Sequence, residues 1–128
     1  MPHPIYAFGY TGRQLDAVVD NIVAADAVLV DIRFTPRSRV PTWNRKALET
    51  RLGERYRWAG DTLGNRLYKS DTIEIVDLAA GLDLIAEISE QHPVALMCVC
   101  ASPVGCHRET IVTALAGSGR QVSDELLS

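Results

Sequence analysis

The sequence predicts a single three-layer α/β domain in which a mostly parallel sheet carries helices on both faces. Apolar segments typical of strands alternate along the chain with segments of helical period. Residues 28–32 and 94–100 form nearly continuous apolar runs, as expected of strands that are buried on both faces of a parallel sheet. A length of 128 residues fits one such domain over residues 1–128, since a second core would lack apolar side chains.

The N-terminal third has the pattern of a strand, a helix and a second strand. Residues 5–9 predict the first strand, which the glycines that follow would end. The next segment predicts a helix because its apolar residues recur with a helical spacing that places them on one face. These residues are Leu15, Val18, Val19, Ile22 and Val23. The apolar run 28–32 then predicts the second strand.

The middle of the chain predicts a second helix and a short strand. Asn44 stands where a helix over residues 45–52 would be capped, Gly53 would end that helix, and residues 56–59 read as a strand. Residues 60–71 contain glycines and charges without a period, so we expect a loop there.

A long helix is predicted to begin at Asp71 or Thr72 and to stop before Pro93. Its apolar positions with helical spacing are Ile75, Leu78, Ala79, Leu82, Ile85 and Ala86. The strand 94–100 follows, then a helix that carries Ile111, Ala114 and Leu115, and a last strand within residues 121–126. This order of elements predicts a Rossmann-like domain.

Composition narrows the class of protein. The longest apolar runs are far shorter than the roughly 20 residues that a membrane-spanning helix requires. The first residues lack the basic start and apolar stretch of a signal peptide, so we expect a cytoplasmic protein with reduced cysteines. No motif indicates a cofactor, and none is expected.

Positive charge is concentrated in one part of the chain. Residues 31–69 contain ten lysines and arginines and four acidic residues, although the whole chain has a net charge of −3. Such a segment predicts either a face that attracts phosphate groups or an ordinary solvated surface.

The loops that follow the predicted strands should open at one edge of the sheet, where ligands bind in parallel sheets. The candidate substrate-binding residues in these loops are Tyr10, Arg13, Arg33, Arg37, Arg39 and Arg108. The fork-shaped guanidinium donors suit phosphate or carboxylate groups. Asp31 could orient Arg33 toward a ligand, or the two could form a purely structural ion pair.

Asp31, Cys106 and His107 are the candidate catalytic residues. Cys106 and His107 lie at the predicted start of a helix, where backbone N–H groups favour a thiolate. Alternatively, Cys106 is a buried packing residue. A zinc site built from Cys98, Cys100, Cys106 and His107 is a further alternative, but the spacing of the cysteines disfavours it, and no metal is expected. The Cys-x5-Arg loop of tyrosine phosphatases and rhodaneses is absent.

Several segments together resemble a family of uncharacterised proteins known as domain of unknown function 488. The shared segments are Phe8-Gly9-Tyr10-Thr11-Gly12-Arg13, Leu29-Val30-Asp31-Ile32-Arg33 with Pro36-Arg37-Ser38-Arg39 and Asn44, Leu63-Gly64, and Cys106-His107-Arg108. In that family an acidic residue stands where this chain has Cys100. The resemblance implies an α/β domain with a shared site and brings no activity with it.

Three functions remain open on this basis. The first is an enzyme that acts on a phosphate-bearing substrate, either a nucleotide or a nucleic acid, at a cleft lined by arginine, cysteine and histidine. The second is a nucleic-acid-binding module without catalysis. The third is a sensor of a small ligand, or an adaptor.

Overall fold

The structure is a computed structural model that describes residues 3–35, 40–65, 74–99, 107–119 and 122–123. Its centre is a five-stranded sheet in which every neighbouring pair of strands is parallel. The strands are β1 (Ile5–Gly9), β2 (Val28–Asp31), β3 (Tyr56–Trp58), β4 (Val94–Cys98) and β5 (Val122–Ser123). Their order across the sheet is β3-β2-β4-β1-β5, so β4 lies between β2 and β1.

Helices cover both faces of this sheet. They are α1 (Leu15–Ala24), α2 (Arg45–Leu52), α3 (Gly60–Leu63), α4 (Leu78–Ser89) and α5 (His107–Gly117). Two short 3₁₀ helices, Pro41–Trp43 and Gly53–Arg55, flank α2. Buried residues of α1 and α2 pack against one face, and buried residues of α3, α4 and α5 pack against the other. The predicted three-layer α/β architecture is confirmed.

Alternation along each strand supplies the two halves of the core. In β4, Ala95 and Met97 face α1 and α2, whereas Val94, Leu96 and Cys98 face α4 and α5. Every residue of β4 is buried, which explains why its sequence is an unbroken apolar run. Within the described ranges, no helix has the length and apolar character needed to cross a bilayer.

The direction of the connections reverses at the carboxyl ends of β2 and β4, where a crevice is expected in a parallel sheet. From β2 the chain runs through α2 to β3, at one side of the sheet, while from β4 it runs through α5 toward β5, at the opposite side. The two connections therefore leave neighbouring strands in opposite directions. In parallel sheets this reversal of direction marks the position where ligands bind.

The long helix begins later than the sequence predicts. Residues 74–77 are not helical, and α4 starts at Leu78, because the Asp77 side chain accepts a hydrogen bond from the Ala80 N–H at 3.1 Å and caps the helix. Ile75 forms a bridge with Asn65 instead of continuing the helical face. The proposed helix starts, Asp71 and Thr72, lie outside the described residues.

Two further expectations need correction. Residues 60–63, which read as part of a loop, form the short helix α3, whose Leu63 is completely buried. Val23 belongs to α1 as predicted, but it is 51% exposed, so the buried stripe of that helix ends at Ile22. Hydropathy alone did not reveal that the helix turns Val23 toward solvent.

Candidate functional site

The carboxylate of Asp31 is the centre of a buried polar cluster at the end of β2. Its Oδ1 accepts hydrogen bonds from the backbone N–H of Arg33 at 3.1 Å and from Arg33 Nε at 2.8 Å. Its Oδ2 accepts from Arg33 Nη2 at 2.6 Å and from the Tyr56 hydroxyl at 2.5 Å. These four bonds occupy the acceptor positions that a carboxylate offers. Asp31 therefore fixes the orientation of Arg33, and a role for Asp31 in proton transfer stays a prediction.

Strand alternation brings these groups together. Asp31 follows Leu29 on the face of the sheet that packs against α1 and α2. In the neighbouring strand β3, Tyr56 is in register with Leu29, and Trp58 is in register with Asp31. The Tyr56 ring is buried in the same half of the core, so its hydroxyl reaches Asp31 from the side.

Arg33 is a buried cation that retains an unused donor. Its guanidinium lies over the Tyr10 ring at 5.4 Å, and Tyr10 stacks on Trp43 with a centroid separation of 4.7 Å. Burial alone would lower the pKa of Arg33, but the hydrogen bonds and charge of Asp31 outweigh this effect and raise that pKa. Nη1 is buried and has no hydrogen-bond partner among the described residues.

The backbone at Arg33 is held by the segment that contains α3. Trp58 Nε1 donates a hydrogen bond to the Arg33 carbonyl at 2.8 Å. A Cβ atom on Gly60 would lie 1.9 Å from that carbonyl oxygen and 2.5 Å from Trp58 Nε1. Only glycine fits at this approach, so the start of α3 is packed directly on the chain that carries Arg33.

The first turn of α5 lies on the other side of the crevice. His107 Nε2 is 2.8 Å from the carbonyl oxygen of Ile32. A carbonyl only accepts, so Nε2 carries the proton, and a neutral ring then has its lone pair on Nδ1. Arg108 is 1% exposed, and its Nε and Nη1 atoms are buried without a hydrogen-bond partner in the described part of the chain.

The other predicted site residues divide into two groups. Arg13 turns back to the end of β1, where its Nε donates to the Gly9 carbonyl at 3.1 Å and its guanidinium covers the Phe8 ring. Arg37, Arg39 and Cys106 lie outside the described residues, so their proposed roles stay predictions. The structure therefore brings together Asp31, Arg33 and Tyr10 by direct contact, and it joins His107 to the backbone beside Arg33.

Sequence reasoning missed three aromatic residues and one cation of this cluster. Tyr56, Trp58 and Trp43 contact the site, and the Arg45 guanidinium lies 4.9 Å from the centre of the Trp58 ring. The available signal was a pair of aromatic residues, Tyr56 and Trp58, which lie two positions apart in the predicted strand that follows the Asp31 strand along the chain. The identity of the neighbouring strand, which decides their role, is not visible in the sequence.

A metal site has no support from the described residues. They contain no group of three or more histidine, cysteine or acidic side chains that could hold a metal ion. Cys98 is buried in β4, as expected of a strand residue, whereas Cys100 and Cys106 lie outside the described residues. The zinc alternative thus depends on parts of the chain for which the geometry is not described.

A separate pocket of about 460 Å³ lies between α1 and α2. Its polar lining comes from Lys46, Thr50 and Arg51, together with Asn44 and Thr42. Arg51 is already bound to Asp16, with 2.8 Å between Nη2 and Oδ1. Neither of the two buried arginines lines this pocket, so the crevice between β2 and β4 is the better candidate site.

A comparison with protein families identifies relatives of the chain. The family model described as "Domain of unknown function DUF488" matches residues 14–115. The matched range extends from the start of α1 into α5 and includes Asp31, Arg33, His107 and Arg108. No curated protein and no solved structure matches the chain significantly. The comparison confirms the family resemblance and supplies no activity.

We expect Tyr56 to stay un-ionised for as long as the protein is folded. Burial and the negative charge of Asp31 raise the pKa of Tyr56 far above its ordinary value of 10.0. The folded state therefore holds this proton more tightly than the unfolded state does. The stability that Tyr56 contributes is present below about pH 10 and is lost as the pH rises above that value.

The measurement is urea unfolding of the wild type and of Tyr56→Phe between about pH 8 and about pH 11. At the lower pH the variant should be less stable by about 1–3 kcal/mol, because Asp31 loses a donor. Its stability should then fall less steeply with pH than that of the wild type. Parallel pH profiles for the two proteins would contradict this assignment.

Gly60→Ala should destabilise the protein by about 2 kcal/mol or more, because the new methyl group would displace the Arg33 carbonyl or the Trp58 indole. Gly117→Ala is the matched control, since a Cβ atom there has nothing within 4 Å at the end of α5. The control should unfold at or slightly above the wild-type temperature. Equal thermal stability of the two variants would show that the contact at Gly60 is not as close as described.

Proposed function

Because the chain belongs to the DUF488 family, a domain of unknown function, we propose from the site alone that it is a cytoplasmic enzyme acting on a phosphate-bearing substrate. The substrate is a nucleotide or a nucleic acid, and it binds in the crevice between the carboxyl ends of β2 and β4. Arg33 and Arg108 are the residues that hold the phosphate group, and Asp31 positions Arg33 for this task.

The observation that carries the proposal is the pair of buried arginines with unused donors. Arg33 Nη1 and the Nε and Nη1 atoms of Arg108 are buried and unpartnered among the described residues. An unsatisfied buried donor costs about 1–3 kcal/mol, and more when the group is charged. Buried charges are normally paired. A phosphate in the crevice would supply acceptor oxygens to these unpartnered N–H groups.

The location of the two arginines supports the same conclusion. Arg33 follows β2, and Arg108 follows β4, so they come from the two strands on either side of the topological reversal. The hydrogen bond between His107 Nε2 and the Ile32 carbonyl ties the two loops together at this point. A ligand between them would contact both.

Candidate groups for chemistry come from the same loops. His107 is the candidate group for proton transfer, as the sequence predicts. Cys106, the preceding residue in the sequence, stays the proposed nucleophile, because a position next to a helix start favours a thiolate. Under this assignment the arginines bind the phosphate, and the cysteine and histidine carry out the reaction.

A module that binds nucleic acid through charge alone receives less support. Three arginines of the basic segment are paired with acidic side chains: Arg45 with Glu49 at 2.6 Å, Arg51 with Asp16 at 2.8 Å and Arg55 with Asp26 at 2.7 Å. Asp16 and Asp26 lie outside the basic segment, so folding brings negative charge to it. The positive charge of the basic segment is therefore partly neutralised in the folded protein.

Thermal unfolding with and without inorganic phosphate tests the binding site. Phosphate at about 100 times its Kd should stabilise the wild type by about 2.7 kcal/mol, which raises the unfolding temperature by roughly 10 °C. Sodium chloride keeps the ionic strength constant. Arg33→Lys and Arg108→Lys keep the charge but remove the fork of donors, so each should lose about half of this rise or more.

Arg57→Lys is the control for these variants, because Arg57 is exposed on β3 and lies on the side of the strand opposite Tyr56 and Trp58. This variant should keep the full phosphate-dependent rise in unfolding temperature. The proposal fails if phosphate does not stabilise the wild type, or if Arg57→Lys loses as much of the rise as the two other variants.

A further inference from the structure

The residue that follows the buried cation of the site in the sequence is an exposed aromatic residue. Phe34 follows Arg33 and is 45% exposed. Among the described residues the other exposed large apolar side chains are Val23 and Val40. Single exposed apolar residues are common on protein surfaces, so exposure alone carries no conclusion. What distinguishes Phe34 is the backbone that supports it and the residue next to it.

The backbone beneath the Phe34 ring is held in place. A Cβ atom on Gly64 would lie 2.7 Å from Phe34 Cα and 2.9 Å from Phe34 Cβ, so the end of α3 packs closely against this residue. One position earlier, the Arg33 carbonyl accepts the hydrogen bond from Trp58 Nε1 and contacts Gly60. The ring is therefore exposed on a segment that α3 fixes from the protein interior. A fixed platform loses little conformational freedom when a ligand binds to it.

The adjacent chemistry indicates what such a platform would bind. Flat aromatic bases stack on exposed aromatic side chains, and every base can do so because each has a π face. The neighbouring Arg33 offers an unpartnered N–H to an anion. A ligand that satisfies both features carries a planar ring and a phosphate group in one molecule, whereas a phosphorylated sugar would use only the arginine.

We propose that Phe34 is a stacking platform for the base of the bound ligand, which makes nucleotides the substrate class of the site. This inference rests on the proposed function, because it takes Arg33 as the phosphate-binding group. It adds that recognition includes the base, and it names the residue that supplies this recognition.

Isothermal titration with AMP and with ribose phosphate tests the inference, since ribose phosphate has the phosphate and sugar without the base. The wild type should bind AMP more tightly than ribose phosphate by on the order of tenfold, the effect of one base stacked on an aromatic ring. Phe34→Ala should abolish this difference and leave the affinity for ribose phosphate unchanged. Phe34→Tyr should preserve it, and Val23→Ala, at an exposed apolar residue of α1, should behave as the wild type.

The outcomes separate the two proposals. Equal affinities of the wild type for AMP and ribose phosphate would overturn the stacking platform. A Phe34→Ala variant whose affinities for AMP and for ribose phosphate fall by the same factor would overturn it as well. Neither result would affect the phosphate site. If ribose phosphate does not bind to the wild type at all, the phosphate site itself is contradicted, and the inference falls with it.

Discussion

The carboxylate of Asp31 is the constraint on which the polar cluster depends. It is completely buried, and a buried charge is tolerated only when it is paired and hydrogen-bonded. The protein meets this requirement by bringing Arg33 back onto Asp31 and by placing the Tyr56 hydroxyl against the same oxygen that Arg33 Nη2 contacts. Once these bonds form, the guanidinium can no longer rotate. The direction of its remaining N–H groups is thereby set by the fold.

A buried ion pair adds little to stability on its own, because desolvation offsets much of the attraction, whereas breaking one by removing a partner costs about 3–5 kcal/mol. Orientation is therefore the more informative property of the Asp31–Arg33 pair. The indole of Trp58 and the close approach of Gly60 hold the Arg33 carbonyl, and the Tyr10 ring lies beneath the guanidinium. Strand β3, the start of α3 and the loop after β1 thus fix one cation at the position where the strand order reverses.

Much of this arrangement follows from local sequence. The apolar runs of β2 and β4 and the helical spacing in α1 predict a parallel α/β sheet, and the ends of those strands locate Asp31, Arg33, His107 and Arg108. Other features depend on contacts between distant segments and have no local signal. The helix α4 starts at Leu78 because Asp77 caps it, and Tyr56 belongs to the site only because β3 pairs with β2. The burial of Arg108, a residue type that is usually exposed, was equally invisible.

If the proposed site is right, Asp31 directs Arg33 toward an anion that Arg108 also contacts. A crystal structure of the protein grown with inorganic phosphate in excess tests this claim most directly. We expect a phosphate in the crevice between β2 and β4, with its oxygens within hydrogen-bond distance of Arg33 Nη1 and of Nε or Nη1 of Arg108. Phosphate bound only at the surface, with these N–H groups satisfied by protein carbonyls or left without a partner, would contradict it.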